Sequence, residues 1–382
     1  LPYKLLGGAV FFQLISYLRM SRNLLRRFDQ YRRRHMAGLS DWLYGFLGRD
    51  KLLCDERLTP VQVKRVLVLR NNKRIGNMYF LLPFLNAVRQ TYPNAEIELM
   101  VIAPSQANVF QEMALACIWV SHFSFGSALK FVKTIHQCRR QPYDLVFMPH
   151  PSSTDMIIGG LVRARNKVSF ANTKTNRVYP HSINAPNARA HAALTPLALL
   201  EPQTNTRLSV NHLMAFTADE TQQAQSSVKQ LRGQAAVCIA YFRGARGHKI
   251  IADPTWHAIC RKFDAATKDA IAWIEILSPD VTEPLVAGTL TWQSADFRKL
   301  GAFLAACDFF ICGDTGPLHL ADAAGARCIG LFSATSPEHY GCMGQGCVNI
   351  TDVDQIDAKS ILALSNGSEH GNHNGPVGLT PT

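Results

Sequence analysis

The chain has 382 residues, too many for one hydrophobic core of ordinary size and enough for two domains. Its 47% hydrophobic and 18% charged residues describe a folded globular protein and exclude a disordered one. The formal net charge of +12, much of it in about the first fifty residues, favours phosphate-bearing partners or an anionic membrane; with no aromatic platform or recognised recognition motif beside the charge, nucleic acid is not an expected partner.

Residues 1–55 form a basic amphipathic segment. Phe11, Leu14, Leu18, Leu25 and Phe28 fall on one helical face, and Arg19, Arg22, Arg26 and Arg33 make a stripe beside it. Two readings stay open: an interfacial helix lying on a membrane, or a solvated basic helix packed on its own domain. The apolar part, Leu5 to Leu18, is shorter than the ~20 residues of a spanning helix. Its positive charge follows the apolar run and no small-residue cleavage site appears, which is not the order of a signal peptide. Met20 offers an alternative start that would make residues 1–19 an upstream extension, and the arginine stripe from Arg22 onward is present either way.

After Pro60 the predicted elements alternate. A β-rich run from Val63 to Leu69 leads into the basic loop Arg70-Asn-Asn-Lys-Arg-Ile-Gly-Asn77, and a helical pattern runs from Met78 to Tyr92. Then follow a strand from Ile97 to Ile102, a helix from Ser105 to Leu115, a strand from Ile118 to Phe123 and a helix from Ala128 to Cys138. A strand from Asp144 to Met148, a helix from Thr154 to Arg163 and a strand from Lys167 to Phe170 complete the series. Repeated β-α units predict a parallel sheet. Residues 172–208, rich in Asn, Pro and Thr and without a periodic core pattern, read as the connection, so a first domain spans 56–208 and a second 209–364. In the second, Thr217-Ala-Asp-Glu220 has capping-box form and opens a helix to about Leu231. A strand from Ala236 to Phe242, a helix from Thr255 to Phe263, a strand from Ala272 to Leu277 and a helix from Phe297 to Ala306 come next. The Asn-, Gly-, His- and Ser-rich tail, 365–382, is predicted to be disordered. Ten cysteines lie scattered with no Cys-x-x-Cys pair and read as reduced, mostly buried thiols of a cytosolic protein. Cys342 and Cys347 alone do not make a metal site, since zinc would need about two further ligands.

Residues 312–341 carry the most information. Cys307 to Cys312 reads as a short buried strand and Leu318 to Ala324 as a helix, so the loop between them sits at a strand's carboxyl end. Gly313 and Gly316 let the backbone approach a ligand, Thr315 offers a hydroxyl, and Pro317 suits a first helical position. Free N–H groups and the helix dipole favour an anion there. Gly325 reads as the C-cap, and Cys328 to Phe332 forms the next strand. In isolation, Asp314 and Thr315 would read simply as helix caps. No G-x-G-x-x-G follows the first strand, so a nicotinamide dehydrogenase has little support.

The run resembles the donor-binding signature of glycosyltransferase family 9, the ADP-heptose:lipopolysaccharide heptosyltransferases. Asp314, Thr315, Gly316, Pro317, His319, Leu320, Ala321, Ala323 and Gly325 fill the fixed positions of D-[ST]-G-P-x-H-L-A-x-A-x-G, and Phe332, Thr335 and Pro337 fill those of the following F-x-x-T-x-P. The resemblance implies an α/β fold of GT-B type, two Rossmann-like domains facing a central cleft. It also implies an inverting transferase that moves heptose from ADP-heptose, or a related nucleotide sugar, onto a lipopolysaccharide core acceptor, without metal or other cofactor. The partners expected are a nucleotide sugar, a lipid-linked oligosaccharide and a membrane touched peripherally by the basic amino-terminal helix, placing the protein in the cytoplasm on the inner face of the cytoplasmic membrane.

Arg74-Ile-Gly-Asn77 with Leu82-Pro83 stands against a family pattern of I-G-D followed by T-P. In the family that Asp is the usual general base, and an Asn side chain cannot take the acceptor proton at neutral pH. Another base, a weak or inactive relative and a different acceptor are the alternatives. Asn77 can still orient the acceptor hydroxyl, while His150 and Asp155, at and just after a strand end in the same lobe, are candidate substitutes that also read as structural. The glycine loop from Arg243 to Lys249 resembles the family's diphosphate loop, so Lys249 and Arg246, with the helix start at Thr315 to Leu318, would neutralise charge on departing ADP; a solvated basic loop is the other reading. Asp280 or Glu283 would hold the ribose of the adenosine, and His319 would approach the phosphates or the sugar. Arg70, Lys73, Arg74 and His150 would meet an acidic acceptor. Two rival functions are a non-catalytic nucleotide-sugar-binding relative that has lost its base at Asn77, and a sugar-nucleotide epimerase of similar two-lobe architecture.

Overall fold

The computed structural model describes residues 45, 46, 48, 50–172, 174–186, 191–201 and 211–364. The amphipathic stripes of the amino-terminal segment, the domain start at 209 and the tail from 365 lie outside the described residues. Within them, strands β1 (Arg65–Arg70), β2 (Glu96–Val101), β3 (Cys117–Val120), β4 (Tyr143–Met148) and β5 (Ala164–Ser169) form an all-parallel sheet in the order β3-β2-β1-β4-β5. A second parallel sheet takes β6 (Val237–Phe242), β7 (Ile271–Ile276), β8 (Leu290–Trp292), β9 (Phe309–Gly313), β10 (Cys328–Leu331) and β11 (Val348–Ile350) in the order β11-β10-β9-β6-β7-β8. The central strands are apolar without alternation because helices cover both faces: Val66 to Leu69 and the whole of β6 are buried. In each sheet the order reverses beside the first strand, between β1 and β4 and between β6 and β9. A crevice opens at the strands' carboxyl ends at such a point, and open α/β sheets bind ligands there.

The helices are α1 (Gly76–Tyr79), α2 (Leu82–Thr91), α3 (Pro104–Ala107), α4 (Ala128–Cys138) and α5 (Ser153–Leu161) in the first lobe. The second lobe has α6 (Ala218–Arg232), α7 (Asp253–Ala266), α8 (Phe297–Ala306), α9 (Gly316–Ala323), α10 (Pro337–Tyr340) and α11 (Ala358–Ala363). The predicted capping box closes α6 in full: Glu220 N–H donates to Thr217 Oγ1 at 3.2 Å and Thr217 N–H to Glu220 Oε2 at 2.8 Å. Gly325 follows α9 with φ +85°, as expected of a residue ending a helix in the left-handed region.

Several expectations are corrected. The helix read from Met78 to Tyr92 is two helices, because Pro83 in the first turn of α2 has no N–H to bond backwards and starts a new helix there. The helix read from Ser105 to Leu115 is the short α3 followed by a single 3-10 turn, Asn108–Phe110. Strand β5 begins at Ala164, earlier than predicted, because its first half buries the polar Asn166, which accepts from Leu58 N–H at 2.6 Å. Lys167, wholly buried, donates to Val162 O at 2.9 Å and pairs with Asp50 at 3.1 Å. No helix among the described residues is long and apolar enough to cross a membrane.

One apolar cluster runs from Val66, Phe84 and Phe147 in the first lobe to Phe303, Leu318 and Leu320 in the second, so the lobes share packing. A buried ion pair fixes the start of the loop after β6. Glu275, with no exposed surface, accepts from Tyr241 Oη at 2.8 Å, Leu285 N–H at 2.6 Å and Arg243 Nε at 2.5 Å. Removing the cation strands a buried carboxylate. Arg243→Met is therefore expected to lower the unfolding free energy by about 3–5 kcal/mol in urea titrations, and a loss near zero would mean that Arg243 does not hold this loop.

Candidate active site

At the crevice of the second sheet, β9 ends at Gly313 and the next side chain, Asp314, turns inward with 4% of its surface exposed. Its Oδ2 accepts from Lys249 Nζ and Thr335 Oγ1, each at 2.5 Å, and its Oδ1 accepts from His319 Nε2 at 3.0 Å. Loops leaving β6, β9 and β10 are thus tied at one carboxylate. Burial alone would raise the Asp314 pKa; the hydrogen bonds from His319, Lys249 and Thr335 outweigh it and hold the carboxyl well below the usual range. Lys249 also donates to Asp314 O at 3.0 Å, which leaves the third of its donors for a ligand, and its side chain keeps 36% of its surface open.

Asp314 and Thr315 do not cap the following helix. Thr315 is the N-cap residue, but its hydroxyl donates back to Gly313 O at 3.2 Å and makes no cap to α9. Pro317 sits in the first turn as predicted. An uncapped helix start beside an ammonium group is an anion site by construction.

The first lobe meets this loop directly. A Cβ added to Gly76 would lie 3.4 Å from Gly316 Cα and 3.4 Å from His319 Cδ2, so Gly76 and the half-buried Asn77 next to it face the start of α9. Phe80, just beyond α1, packs its ring 4.5 Å from that of His319 and 5.8 and 6.1 Å from those of His191 and Tyr340. His191 Nε2 donates to Gly341 O at 2.9 Å and Ala192 N–H to His339 O at 2.9 Å, clasping the connection to the second lobe.

At the crevice of the first sheet stand Arg70, at the end of β1, and His150, just beyond β4. Arg70 Nε and His150 Nε2 are both buried without a hydrogen-bond partner. Burial lowers the Arg70 pKa to about 10, partly offset by Asp155. Burial and then the neighbouring Arg70 charge push His150 down to about 3. Asp155 is not free to act as a base. It is wholly buried and accepts from Asn71 N–H at 2.9 Å, Asn71 Nδ2 at 2.8 Å and Ser152 Oγ at 2.7 Å, which makes it the fastener of the loop after β1.

The remaining predicted residues lie at the surface. Lys73 and Arg74 are exposed. Arg246 pairs with Asp280 at 3.1 Å, with side chains 90% and 70% exposed, so the two are brought together but outside the buried hub of Asp314. Glu283 is exposed, and its backbone carbonyl accepts from Arg243. Thr335 is a site residue whose only sequence signal was its fixed place in the signature, and Phe80 and Tyr340 carried no signal because only the tertiary fold brings them to His319.

His150 yields a prediction whose sign follows from linkage. It stays neutral in the fold down to about pH 3, whereas the unfolded chain binds the proton near 6.5, so stability falls as pH drops through that window. His150→Gln is expected to lose less melting temperature than the native chain on acidification across it. Equal losses in the two proteins would contradict the burial of a neutral imidazole.

Residues 293–360, which contain the whole loop from β9 through α9 to β10, match the model of a family described as glycosyltransferase family 9 (heptosyltransferase). The resemblance read from the signature is thereby borne out. A comparison with curated proteins finds no match. Among solved structures the chain is similar to the family 9 glycosyl transferase from Veillonella parvula, with TM-score 0.67 and 16% identity, covering 83% of this chain and 94% of that one. It is also similar to ADP-heptose lps heptosyltransferase II of E. coli, with TM-score 0.62 and 12% identity over 79% of this chain and 98% of that one. The E. coli heptosyltransferase WaaC with ADP gives TM-score 0.60 and 15% identity over 79% and 99%. These likenesses bear out the two-lobe GT-B fold.

Proposed function

We propose, with a heptosyltransferase-family glycosyltransferase as the premise, that this chain moves heptose from ADP-heptose onto an acidic lipopolysaccharide core acceptor with inversion at the anomeric carbon. The observation that carries the reading is the Lys249–Asp314 pair beside the uncapped start of α9, at the carboxyl end of the second sheet. A donor diphosphate there takes hydrogen bonds from the α9 backbone and from the open donor of Lys249. Charge growing on departing ADP is then met by groups already in place, which is electrostatic stabilisation of a leaving group. Asp314, itself fixed by the Thr335 hydroxyl and by His319, holds that ammonium and keeps it from swinging into solvent.

The acceptor enters from the first lobe. Arg70 Nε and His150 Nε2, buried and without partners, suit a phosphate or sugar acid. Asn77, beside Gly76 against the donor loop, orients the attacking hydroxyl. Its amide cannot remove the proton, so the base is another group or the acceptor's own anion. The basic amino-terminal segment would hold the chain on the inner membrane face, where a lipid-linked acceptor is presented. Asn77, together with the locked state of Asp155, also supports a second reading, a relative that binds the nucleotide sugar without turning it over.

ADP release from ADP-heptose with a lipid-linked core acceptor separates the readings. A transferase turns over in native form and loses on the order of 10²–10³ in rate with Lys249→Ala. Asn77→Asp is expected to raise turnover by roughly 10² if the missing base limits it. A native chain that binds donor but releases no ADP, with activity only in Asn77→Asp, selects the binding-protein reading. An altered sugar nucleotide in place of ADP would mean an epimerase.

A further inference from the structure

Apart from the donor hub, the second lobe holds a cluster of thiols. Cys328 opens β10, Cys342 and Cys347 lie in the turn between α10 and β11, and their sulfur atoms all stand within 4.8 Å of one another. Cys328 and Cys342 are buried and Cys347 is half-buried; all three are free thiols. Around a tetrahedral ion with metal–sulfur bonds of about 2.3 Å, sulfurs stand roughly 3.8 Å apart, so this spacing accommodates one ion.

His212 and Asp322 lie beside this cluster, outside the set of donors close enough to share one ion. His212 has only 10% of its side chain exposed, yet its Nε2 has no hydrogen-bond partner. That nitrogen lies 3.7 Å from Asp322 Oδ1, which is itself 3.8 Å from Cys347 Sγ. The small volume in front of Gly344 shows how these groups converge. A Cβ placed there would meet Asp322 Oδ1 at 3.0 Å, Cys347 Sγ at 3.1 Å and His212 Nε2 at 3.8 Å. Asp322 is held in turn by Met343 N–H at 3.1 Å and Gly344 N–H at 2.8 Å.

We infer that Cys328, Cys342 and Cys347 form a three-thiolate site for a soft divalent cation of the zinc class, with the fourth position left to a water or an external ligand. A donor set of three thiolates selects such an ion over oxygen-preferring magnesium or calcium. The ion ties the start of β10 to the turn after Gly341 that receives His191. Chain spacing hides this set, because Cys328 reaches the Cys342–Cys347 turn only through the fold. The inference goes beyond the glycosyl transfer and does not depend on it.

The test uses the full chain, reduced, stripped of metal and titrated with cobalt(II), then zinc. The expected result is about one equivalent of cobalt bound with the intense visible and near-ultraviolet bands of tetrahedral thiolate coordination, displaced by zinc. Zinc is also expected to protect the three thiols from alkylation. Cys342→Ser and Cys347→Ser should each weaken cobalt binding by on the order of 10–100-fold or more. If one of them does not fold, the other, checked by circular dichroism, and the alkylation of the native chain decide the matter. Pale octahedral bands, an unchanged titration in a folded Cys→Ser variant, or no protection of the thiols by zinc would overturn the site.

Discussion

A single buried negative charge organises the candidate active site. A carboxylate taken out of water is strongly destabilising unless donors surround it, and Asp314 finds its donors on the segments that follow three different strands, Lys249 after β6, His319 in α9 after β9 and Thr335 after β10. Lys249 is therefore drawn to the carboxyl edge of the sheet, Thr335 pulls in the loop after β10, and His319 is turned so that its ring meets Phe80 of the other lobe. The depressed pKa of Asp314 carries the same information: this contribution to stability is present above the ordinary carboxylate range and is lost as pH falls through the lower folded value.

What the hub holds open is as important as what it closes. Thr315 bonds backward to Gly313, leaving the α9 amides uncapped, and Lys249 retains a donor and a path to solvent. Across from them the first lobe contributes bare backbone at Gly76, where an added Cβ would lie 3.4 Å from Gly316 Cα, so the two lobes meet closely beside Ile75 and His319. The two sheets reverse strand order at equivalent places, so the unpartnered Arg70 and His150 stand at one crevice and Lys249 with Asp314 at the other.

Much of this was legible in the chain. The helices from Ala128 to Cys138 and from Phe297 to Ala306 match their predicted bounds because each is amphipathic over its full length and bounded by clear breaks. The loop from Gly313 to His319 was readable because the family signature fixes particular residue types at particular spacings there. Strand β5 was read short because Asn166, just before the predicted start at Lys167, is a buried polar residue whose partner Leu58 lies far away in the chain. The edge strands β8 and β11 have only three residues each, too few for a period to show. Asp155 read either as a substitute base or as structural, and its neighbours Asn71 and Ser152 reveal it as a fastener. Arg246 and Asp280 were each read as donor contacts, and the fold also pairs them with each other at the surface. In each case the missing information was a partner distant in sequence.

The central claim is that Lys249, positioned by Asp314, meets a diphosphate. The most direct measurement is calorimetric titration of ADP and, separately, adenosine into the native chain and Lys249→Met. The account predicts that ADP affinity falls about 10–100-fold, the worth of a hydrogen bond to a charged group, while adenosine binding is unchanged. Equal losses for both ligands, or no loss of ADP affinity, would contradict it.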